Sequence, residues 1–134
     1  MKLEFKVKTE RRVQFINIDH LLLDAVRKGE IQNAVCHIFI PHTTAAVTIN
    51  ENADPDVMRD IQMETGKIVP FEDNYAHAEG NSAAHIKASL FGATATVFIS
   101  EGKPNFGTWQ SLFFCEFDGP RQRRIWITFI PMEF

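Results

Sequence analysis

The chain has 134 residues, of which 45% are hydrophobic and 23% are charged, and its formal net charge is −3 at pH 7. A chain of this length and composition should fold as one soluble globular domain, residues 1–134, that buries roughly two thirds of its unfolded surface. The acidic balance argues against non-specific nucleic-acid binding, which requires many Lys and Arg side chains to neutralise phosphates.

Cysteine usage and hydropathy indicate the compartment. Cys36 and Cys115 stand in separate apolar runs, which predicts reduced, buried thiols instead of a disulfide framework or a cysteine zinc site. The chain contains no apolar run long enough to cross a bilayer, and its start, MKLEFKVKTE, alternates where a signal peptide would have an apolar block. We therefore expect a cytoplasmic protein without a membrane partner.

The first elements in chain order are two strands, a helix and a third strand. Apolar and charged residues alternate over 2–8, a second strand is predicted over about 12–18, and the two pair most simply as a hairpin. Asp19 is placed to cap a short helix that Gly29 ends. The run NAVCHIFI is typical of a buried strand, which Pro41 breaks.

The next strand is predicted to begin at His42, and it has an unusual polar face. Because successive strand side chains point to opposite faces, alternate residues share a face. The polar face is formed by His42, Thr44, Thr48 and Asn50. The imidazole of His42 and the amide of Asn50 share this face, and Glu51 and Asp56 follow directly. This combination indicates a site for metal binding or acid-base chemistry.

Two more helices follow. Asp54 and Pro55 are a typical N-cap and first helical residue, and Gly66 is the predicted end of that helix. A loop of about a dozen residues leads to a helix over 82–91, which Gly92 ends. Ala83, Ile86 and Leu90 form its predicted apolar stripe, and Ser82, His85 and Ser89 lie along one edge of that stripe.

Histidines and a carboxylate near this helix could bind a metal. His42, His77, His85 and Glu79 offer the neutral imidazoles and the carboxylate that zinc or another divalent ion prefers, although their spacing is not a standard metal motif. Each also has an ordinary structural interpretation, as a hydrogen-bonded histidine at the core margin or a solvated loop residue. The run EGNS, which enters the helix, could bind phosphate through free backbone N–H groups.

The C-terminal region is predicted as strands over 94–100, 108–117 and 123–131. In the middle strand, Thr108, Gln110 and Glu116 share one face, and polar groups at both ends of an apolar face suit the rim of a pocket. The arginines at 121, 123 and 124 could add charge for a phosphorylated ligand or could simply be solvated. About seven strands and three helices predict an α+β domain with an antiparallel or mixed sheet.

Three blocks, HTTAAVTINENADPDV, HAEGNSAAHIKASLFG and GTWQSLFFCEFDGPRQRR, together closely resemble the YjbQ family, whose members are described as secondary thiamine-phosphate synthases. The similarity extends from about His37 to Ile130. Some relatives have a longer acidic stretch where this chain has only NSA, and a glycine is frequent at the position of Ser111. The resemblance implies a homotrimer of YjbQ-like α+β fold with clefts between subunits.

Carried over residue by residue, the resemblance and the face analysis together yield a candidate site. The expected catalytic residues are Glu51, Asp56 and Gln110. The expected substrate-binding residues are Thr43, Asn50, Asn81, Ser89, Thr108 and Trp109. The expected metal ligands are His42, His77, His85 and Glu79.

The resemblance implies a transferase that joins a pyrimidine pyrophosphate to a thiazole phosphate, assisted by a divalent metal, either zinc or magnesium. The physiological substrate is left open, because the family activity is described as secondary. The alternative is a trimeric metal-binding or phosphometabolite-binding protein with little catalysis. In both cases the expected partner is a small phosphorylated molecule, with neither nucleic acid nor membrane.

Overall fold

The computed structural model describes residues 2–133, in which three helices and eight strands are formed. In chain order these are β1 (Lys2–Lys8), β2 (Gln14–Asn17), α1 (Asp19–Lys28), β3 (Ala34–Phe39), β4 (Ala45–Glu51), α2 (Pro55–Ile68), α3 (Ser82–Phe91), β5 (Thr94–Ser100), β6 (Lys103–Asn105), β7 (Gln110–Glu116) and β8 (Gln122–Pro131). Within the described residues, no helix is both long and apolar enough to cross a membrane.

The strands form two antiparallel sheets. One contains five strands in the order β1-β8-β3-β5-β6, and the other contains three in the order β2-β7-β4. The predicted α+β class is confirmed. The described residues hold eight strands where about seven were expected, because the turn after β5 itself contains the short strand β6.

The main core lies between the two sheets. Phe5, Ile38 and Ile127 enter it from the larger sheet, and Val47 and Phe114 enter it from the smaller one. Burying one such side chain stabilises the fold by about 1.5–3 kcal/mol. The period-2 alternation of these strands therefore holds the two sheets face to face.

A second, smaller core lies on the opposite face of the three-stranded sheet, where α3 packs. It contains Ala46 of β4, Cys115 of β7 and Phe117, together with Ala84 and Ala88 of α3. Alanine side chains are short, so the helix approaches the sheet closely. The fold thus has three layers, and α3 is held directly over β4.

The predicted hairpin of the first two strands is wrong. β1 pairs with β8, where Phe5 lies opposite Ile125, while β2 pairs with β7 of the other sheet, where Phe15 lies opposite Cys115. Residues 9–13 carry the chain from one sheet to the other. Phe5 is buried in the main core and Phe15 packs on the second core, and a tight hairpin could not serve both.

The start of α2 is confirmed, but its predicted end is wrong. The Asp54 side chain accepts a hydrogen bond of 2.9 Å from the backbone N–H two residues on, as an N-cap does. The helix passes through Gly66 and ends at Ile68. Val69 then adopts φ −125° and ψ 82°, because the ring of Pro70 disfavours helical backbone in the preceding residue.

Asp19 opens α1 but does not cap it, contrary to the sequence prediction. No side-chain cap hydrogen bond is present at this helix start. The Asp19 carboxylate instead accepts a hydrogen bond of 2.8 Å from the backbone N–H of Leu112. Asp19 therefore fastens α1 to β7, and α1 ends before Gly29 as predicted.

The predicted apolar stripe of α3 is also wrong in part. Ile86 and Leu90 are 38% and 68% exposed, respectively. The buried face instead contains Ala84, Lys87 and Ala88, together with Ala83, which was predicted correctly. The second core selects small side chains, and it buries a lysine that side-chain polarity alone would place in solvent.

Both cysteines are free and buried, as predicted. Burial raises the pKa of the Cys36 thiol to about 12 and raises the pKa of the Cys115 thiol as well. Buried thiols of this kind are inert at neutral pH.

Candidate functional site

Polar side chains gather where the chain bends before β4 and where α3 begins. The strand was predicted to start at His42, but β4 starts at Ala45, and Thr43 and Thr44 form a bend before it. His42 therefore does not share a regular strand face with Asn50. The bend turns this segment toward the first turns of α3.

His85, on the second turn of α3, is the centre of this region, because it lines three cavities. The first, of about 410 Å³, is lined by His85 with Tyr75, Ala76, His77, Ser82 and Ile86. The second, of about 360 Å³, is lined by His85 with Arg12, Thr43, Thr44, Glu79, Gly80, Asn81, Asp118 and Arg121. The third, of about 330 Å³, is lined by His85 with His42, Thr43, Ala45, Ala88, Ser89, Gly92 and Ala93. We call these three cavities the His85 site.

The structure therefore brings one group of the predicted residues together. His42, Thr43, His77, Glu79, Asn81 and Ser89 each line a cavity that His85 also lines. Face analysis had placed His85 at the margin of the core, and it is indeed partly buried there.

The remaining predicted residues lie at the opposite end of β4. Glu51 is directly opposite Gln110 in the sheet, and the Trp109 carbonyl accepts a hydrogen bond of 2.8 Å from the Asn52 backbone N–H. A seven-residue strand spans roughly 20 Å, so one protomer does not join the two groups. The six residues of this distal group are Asn50, Glu51, Asp56, Thr108, Trp109 and Gln110.

Three members of the distal group have local partners. Asn50 Oδ1 accepts a hydrogen bond of 2.7 Å from the Glu51 backbone N–H. Asp56 forms an ion pair of 3.2 Å with Arg59 on α2. The Gln110 side-chain oxygen accepts a hydrogen bond of 2.8 Å from the Gly107 backbone N–H, and it fixes the turn before β7. Trp109 has 62% of its surface exposed, so its ring is available for contact with another molecule.

The predicted metal ligands are near one another but do not form a closed metal centre. The rings of His77 and His85 are perpendicular with centroids 5.6 Å apart, and His77 Nε2 lies 3.8 Å from Glu79 Oε2. No group of three or more His, Cys, Asp or Glu side chains within residues 2–133 is arranged to hold a metal ion. The arrangement in one protomer therefore does not fit a preassembled site.

His42 is held in one tautomer by the backbone. Its Nε2 accepts a hydrogen bond of 3.0 Å from the Arg124 backbone N–H, so the neutral ring carries its proton on Nδ1. Burial lowers the pKa of His42, and the positive charges of Arg123 and Arg124 lower it further. His42 can thus offer a ligand an N–H donor at neutral pH.

The second cavity of the His85 site combines hydrogen-bond donors with one free acceptor. The Asn81 side-chain N–H donates to the Asp118 carboxylate at 3.1 Å, and Arg121 pairs with the same carboxylate at 3.1 Å. Asn81 Oδ1 is buried and has no hydrogen-bond partner among the described residues. Such an atom is available to a donor on a ligand.

Sequence reasoning missed Arg12 and Asp118, which line this second cavity. Arg12 lies in a basic pair before β2, and Asp118 follows β7 directly. Both positions are ordinary for solvated residues, so only the tertiary structure identifies them. Of the three later arginines, Arg121 lines the cavity and Arg123 does not.

Arg123 instead forms a buried ion pair with Glu116, which had been interpreted as a pocket-rim residue. Arg123 Nε donates to Glu116 Oε1 at 2.8 Å, and an NH2 group of Arg123 contacts the other carboxylate oxygen. Thr9 Oγ1 also donates to Glu116 at 2.8 Å, and Arg123 donates to Thr44 Oγ1 at 2.8 Å. This network fixes the bend that carries Thr43.

The charge state of the network follows from its contacts. Burial acts to raise the pKa of Glu116, but hydrogen bonds from Arg123, Asp118 and Thr9 outweigh burial and lower it. Glu116 is therefore an anion throughout the neutral range, and it neutralises Arg123.

The fold and the site define an α+β protein of two antiparallel sheets with small cavities, lined by histidine and polar side chains, at the start of one helix. A family model described as UPF0047 protein YjbQ-like matches residues 3–132. The chain belongs to this family.

Individual relatives and solved structures support the family assignment. UPF0047 protein MJ1081 of Methanocaldococcus jannaschii is 43% identical over 130 residues, which cover 97% of this chain and 94% of the relative. A crystal structure of a YjbQ/UPF0047 family protein from Clostridium acetobutylicum has a TM-score of 0.93 at 48% identity and covers 96% of this chain and 99% of that one. The YbjQ-like protein SSO2532 of Sulfolobus solfataricus, described as being of unknown function, has a TM-score of 0.92 at 31% identity, with coverages of 98% and 97%.

Proposed function

We propose that the His85 site binds a phosphorylated small molecule, and that the protein is a cytoplasmic transferase of the thiamine-phosphate synthase type. The reaction would join a pyrimidine pyrophosphate to a thiazole phosphate and release pyrophosphate. The observation that carries this proposal is the position of His85, which lines a cavity shared with Arg12 and Arg121 and two further cavities beside it.

The second cavity has the chemistry that phosphate requires. Arg12 and Arg121 supply guanidinium groups, which bind phosphate oxygens in pairs, and Arg121 would do so beside its ion pair with Asp118. Gly80 and Asn81 lead directly into α3, and the first backbone N–H groups of a helix favour an anion. The Thr43 hydroxyl lines the same cavity and adds another donor.

Donors around a leaving pyrophosphate would also accelerate its departure. In the proposed transfer, pyrophosphate leaves with the electron pair of the broken C–O bond, so negative charge grows on its oxygens. His42 offers an N–H from a neutral ring, and Thr43 lines the same cavity. These groups would stabilise the growing charge without first having to reorganise.

The proposed cofactor is a divalent metal, zinc or magnesium. His77, His85 and Glu79 are the side chains that would hold it, and His42 could bind it through Nδ1 only by losing the proton on that atom together with the hydrogen bond that Nε2 accepts from Arg124. Because these residues do not form a preassembled site in one protomer, we assign the metal no catalytic step. Metal analysis of the purified protein by mass spectrometry, beside a His85→Ala variant, tests this part directly.

The proposed assembly is a homotrimer in which the distal group of one protomer reaches the His85 site of its neighbour. This arrangement would explain why Glu51 and Gln110 lie at the end of β4 that is far from the His85 site within one chain. Light scattering measures the molar mass. Mixing His85→Ala and Gln110→Ala chains tests the shared site, because mixed trimers would regain activity that neither variant has alone.

The central experiment is turnover of the pyrimidine pyrophosphate and thiazole phosphate pair by the parent and by His85→Ala. We expect the variant to lose about 10²-fold or more in kcat/KM, the usual cost of removing a positioned acid-base or binding group. His20→Ala is the matched control, because His20 is an exposed histidine on α1. Equal rates in parent and His85→Ala would refute the site.

A binding protein for a metal or a phosphorylated metabolite is the second candidate. It is favoured by the separation within one protomer of Glu51 and Asp56 from the cavities that His85 lines. A Glu51→Gln variant distinguishes the two functions. If Glu51→Gln keeps the affinity of the parent for thiazole phosphate but loses turnover, the enzyme is supported. If the parent itself shows no saturable turnover and both proteins bind thiazole phosphate equally well, the binding protein is supported.

A further inference from the structure

A buried lysine lines a cavity that is separate from the His85 site. Lys87 is only 2% exposed on the face of α3 that packs against the second core. Its Nζ atom lies 4.7 Å from the ring centroid of Phe71 and 5.9 Å from that of Phe117. Lysine is seldom buried to this extent unless it is paired.

Lys87 has no carboxylate partner among the described residues. The influences on its amine are burial and the positive charge of Arg12, and both lower its pKa. Arg12 itself lies 3.8 Å from the ring centroid of Phe71. Aromatic rings stabilise an ammonium only weakly compared with a carboxylate, so these surroundings favour the neutral amine more than solvent does.

The cavity beside Lys87 has a volume of about 290 Å³ and is mainly apolar. Its other lining residues are Thr48, Thr65, Ile68, Val69, Leu90 and Phe91. The Thr65 hydroxyl is already engaged as a donor to the Ile61 carbonyl at 2.6 Å. The Thr48 hydroxyl is thus the group best placed to donate to a ligand oxygen. None of these residues lines the three cavities of the His85 site.

We propose that Lys87 is a nucleophilic amine that forms an imine with a small, mainly apolar aldehyde bound in this cavity. The volume lies at the lower end of the range of about 300–1,000 Å³ that is typical of ligand sites. The apolar lining selects against charged carbonyl compounds. An aldehyde of the size of benzaldehyde meets both conditions.

The covalent step is a condensation. The lone pair of the neutral Lys87 Nζ attacks the carbonyl carbon, and the carbonyl π electrons move onto the oxygen, which takes a proton from nitrogen. The resulting carbinolamine then loses its hydroxyl and the second nitrogen proton as water, and a C=N bond forms. A Thr48 hydroxyl hydrogen bond to the carbonyl oxygen favours the attack. No oxidant or reductant is needed for the imine itself.

Reductive trapping tests this site independently of the proposed transferase activity. Parent protein is incubated with benzaldehyde and cyanoborohydride at pH 7, and the rate of modification of each lysine is measured by peptide mass spectrometry. The exposed residues Lys67 and Lys103 are the internal references, because their side chains lie in solvent. We expect Lys87 to be modified at least tenfold faster than either.

Two variants complete the test. In Lys87→Met the fast modification disappears, whereas in Lys67→Met, its matched control, it persists. Benzyl alcohol, which occupies the same cavity but has no carbonyl, slows labelling of Lys87 in the parent. Modification of Lys87 at or below the rate of Lys67 in folded parent protein overturns the proposal, and thermal unfolding of each protein establishes that it is folded.

Discussion

Arg123 and Lys87 are equally buried basic residues, but their surroundings are opposite. Arg123 contacts both carboxylate oxygens of Glu116 and the Thr44 hydroxyl. Lys87 has two aromatic rings, a second cation nearby and a cavity. Burial alone therefore does not decide the role of a charged residue. A cation whose hydrogen bonds are complete holds the fold, whereas an amine that lacks them is poised to react.

The largest expected effect is that of Glu116→Gln. This variant removes the carboxylate counter-ion of Arg123, so that Arg123, like Lys87, has no carboxylate partner. Removing one partner of a buried pair leaves an uncompensated charge, so we expect the free energy of unfolding to fall by about 3–5 kcal/mol. Urea denaturation at pH 7 measures the change. The variant should still fold if the parent has the usual stability of a domain of this size.

The double variant Glu116→Leu with Arg123→Met is the control. Replacing both members of a buried pair by apolar side chains is often close to neutral, so the double variant should recover most of the loss.

The stabilising effect of the ion pair should also depend on pH in the acid range. Because the pKa of Glu116 is held below 4.5, its contribution is present above that pH and is lost as the pH falls through the lowered value. Similar stabilities for all three proteins would contradict a stabilising role for the pair.

Lys87→Met tests the other side of the comparison. It removes a buried amine that has no carboxylate partner and keeps a flexible chain of similar length, so we expect the free energy of unfolding at pH 7 to be unchanged or raised by about 1 kcal/mol at most. The measurement is urea denaturation of parent and variant at pH 7 and pH 10.

The pH dependence makes this prediction specific to the amine. A lowered pKa in the folded state means that the unfolded chain binds more protons below 10.5, so the stability of the parent rises with pH over that window. The stability of Lys87→Met does not show this rise. The free energy of unfolding of the parent should therefore increase relative to that of the variant between pH 7 and pH 10. A parent that is several kcal/mol more stable than the variant at pH 7 would show that Lys87 has a structural partner.

The features that the sequence predicted well are those set by local pattern. The alternation predicted a strand over 2–8, where β1 is formed, and Asp54 with Pro55 correctly marked the start of α2. His85 was placed at the core margin by helical spacing alone. In each case the feature is determined by residues that are only a few positions apart in the sequence.

The features that it predicted poorly depend on distant partners. The pairing of β1 with β8 joins residues more than a hundred positions apart, and no local signal specifies it. Glu116 was interpreted as a pocket-rim residue from strand alternation, but it is buried with Arg123, and the burial of Lys87 follows from the packing of α3. The cavity-lining role of Arg12 is equally invisible before the fold is known, because a basic pair before a strand is ordinary on a surface.

The smallest expected effect concerns His42 and shows whether burial and the nearby arginines together lower its pKa in the folded protein. Burial, together with Arg123 and Arg124, lowers the pKa of His42 from 6.5, and the Glu116 carboxylate opposes this only partly. Below 6.5 the unfolded chain therefore binds more protons at this position than the folded chain, so protonation favours unfolding and stability falls as the pH is lowered through the window. In His42→Gln the amide oxygen can still accept the Arg124 hydrogen bond, but the side chain does not titrate. The urea midpoint of the parent should consequently fall more between pH 7.5 and pH 5.5 than that of the variant, with His20→Gln, at an exposed histidine, behaving like the parent. Parallel pH profiles for parent and His42→Gln would mean that folding does not lower the pKa of His42.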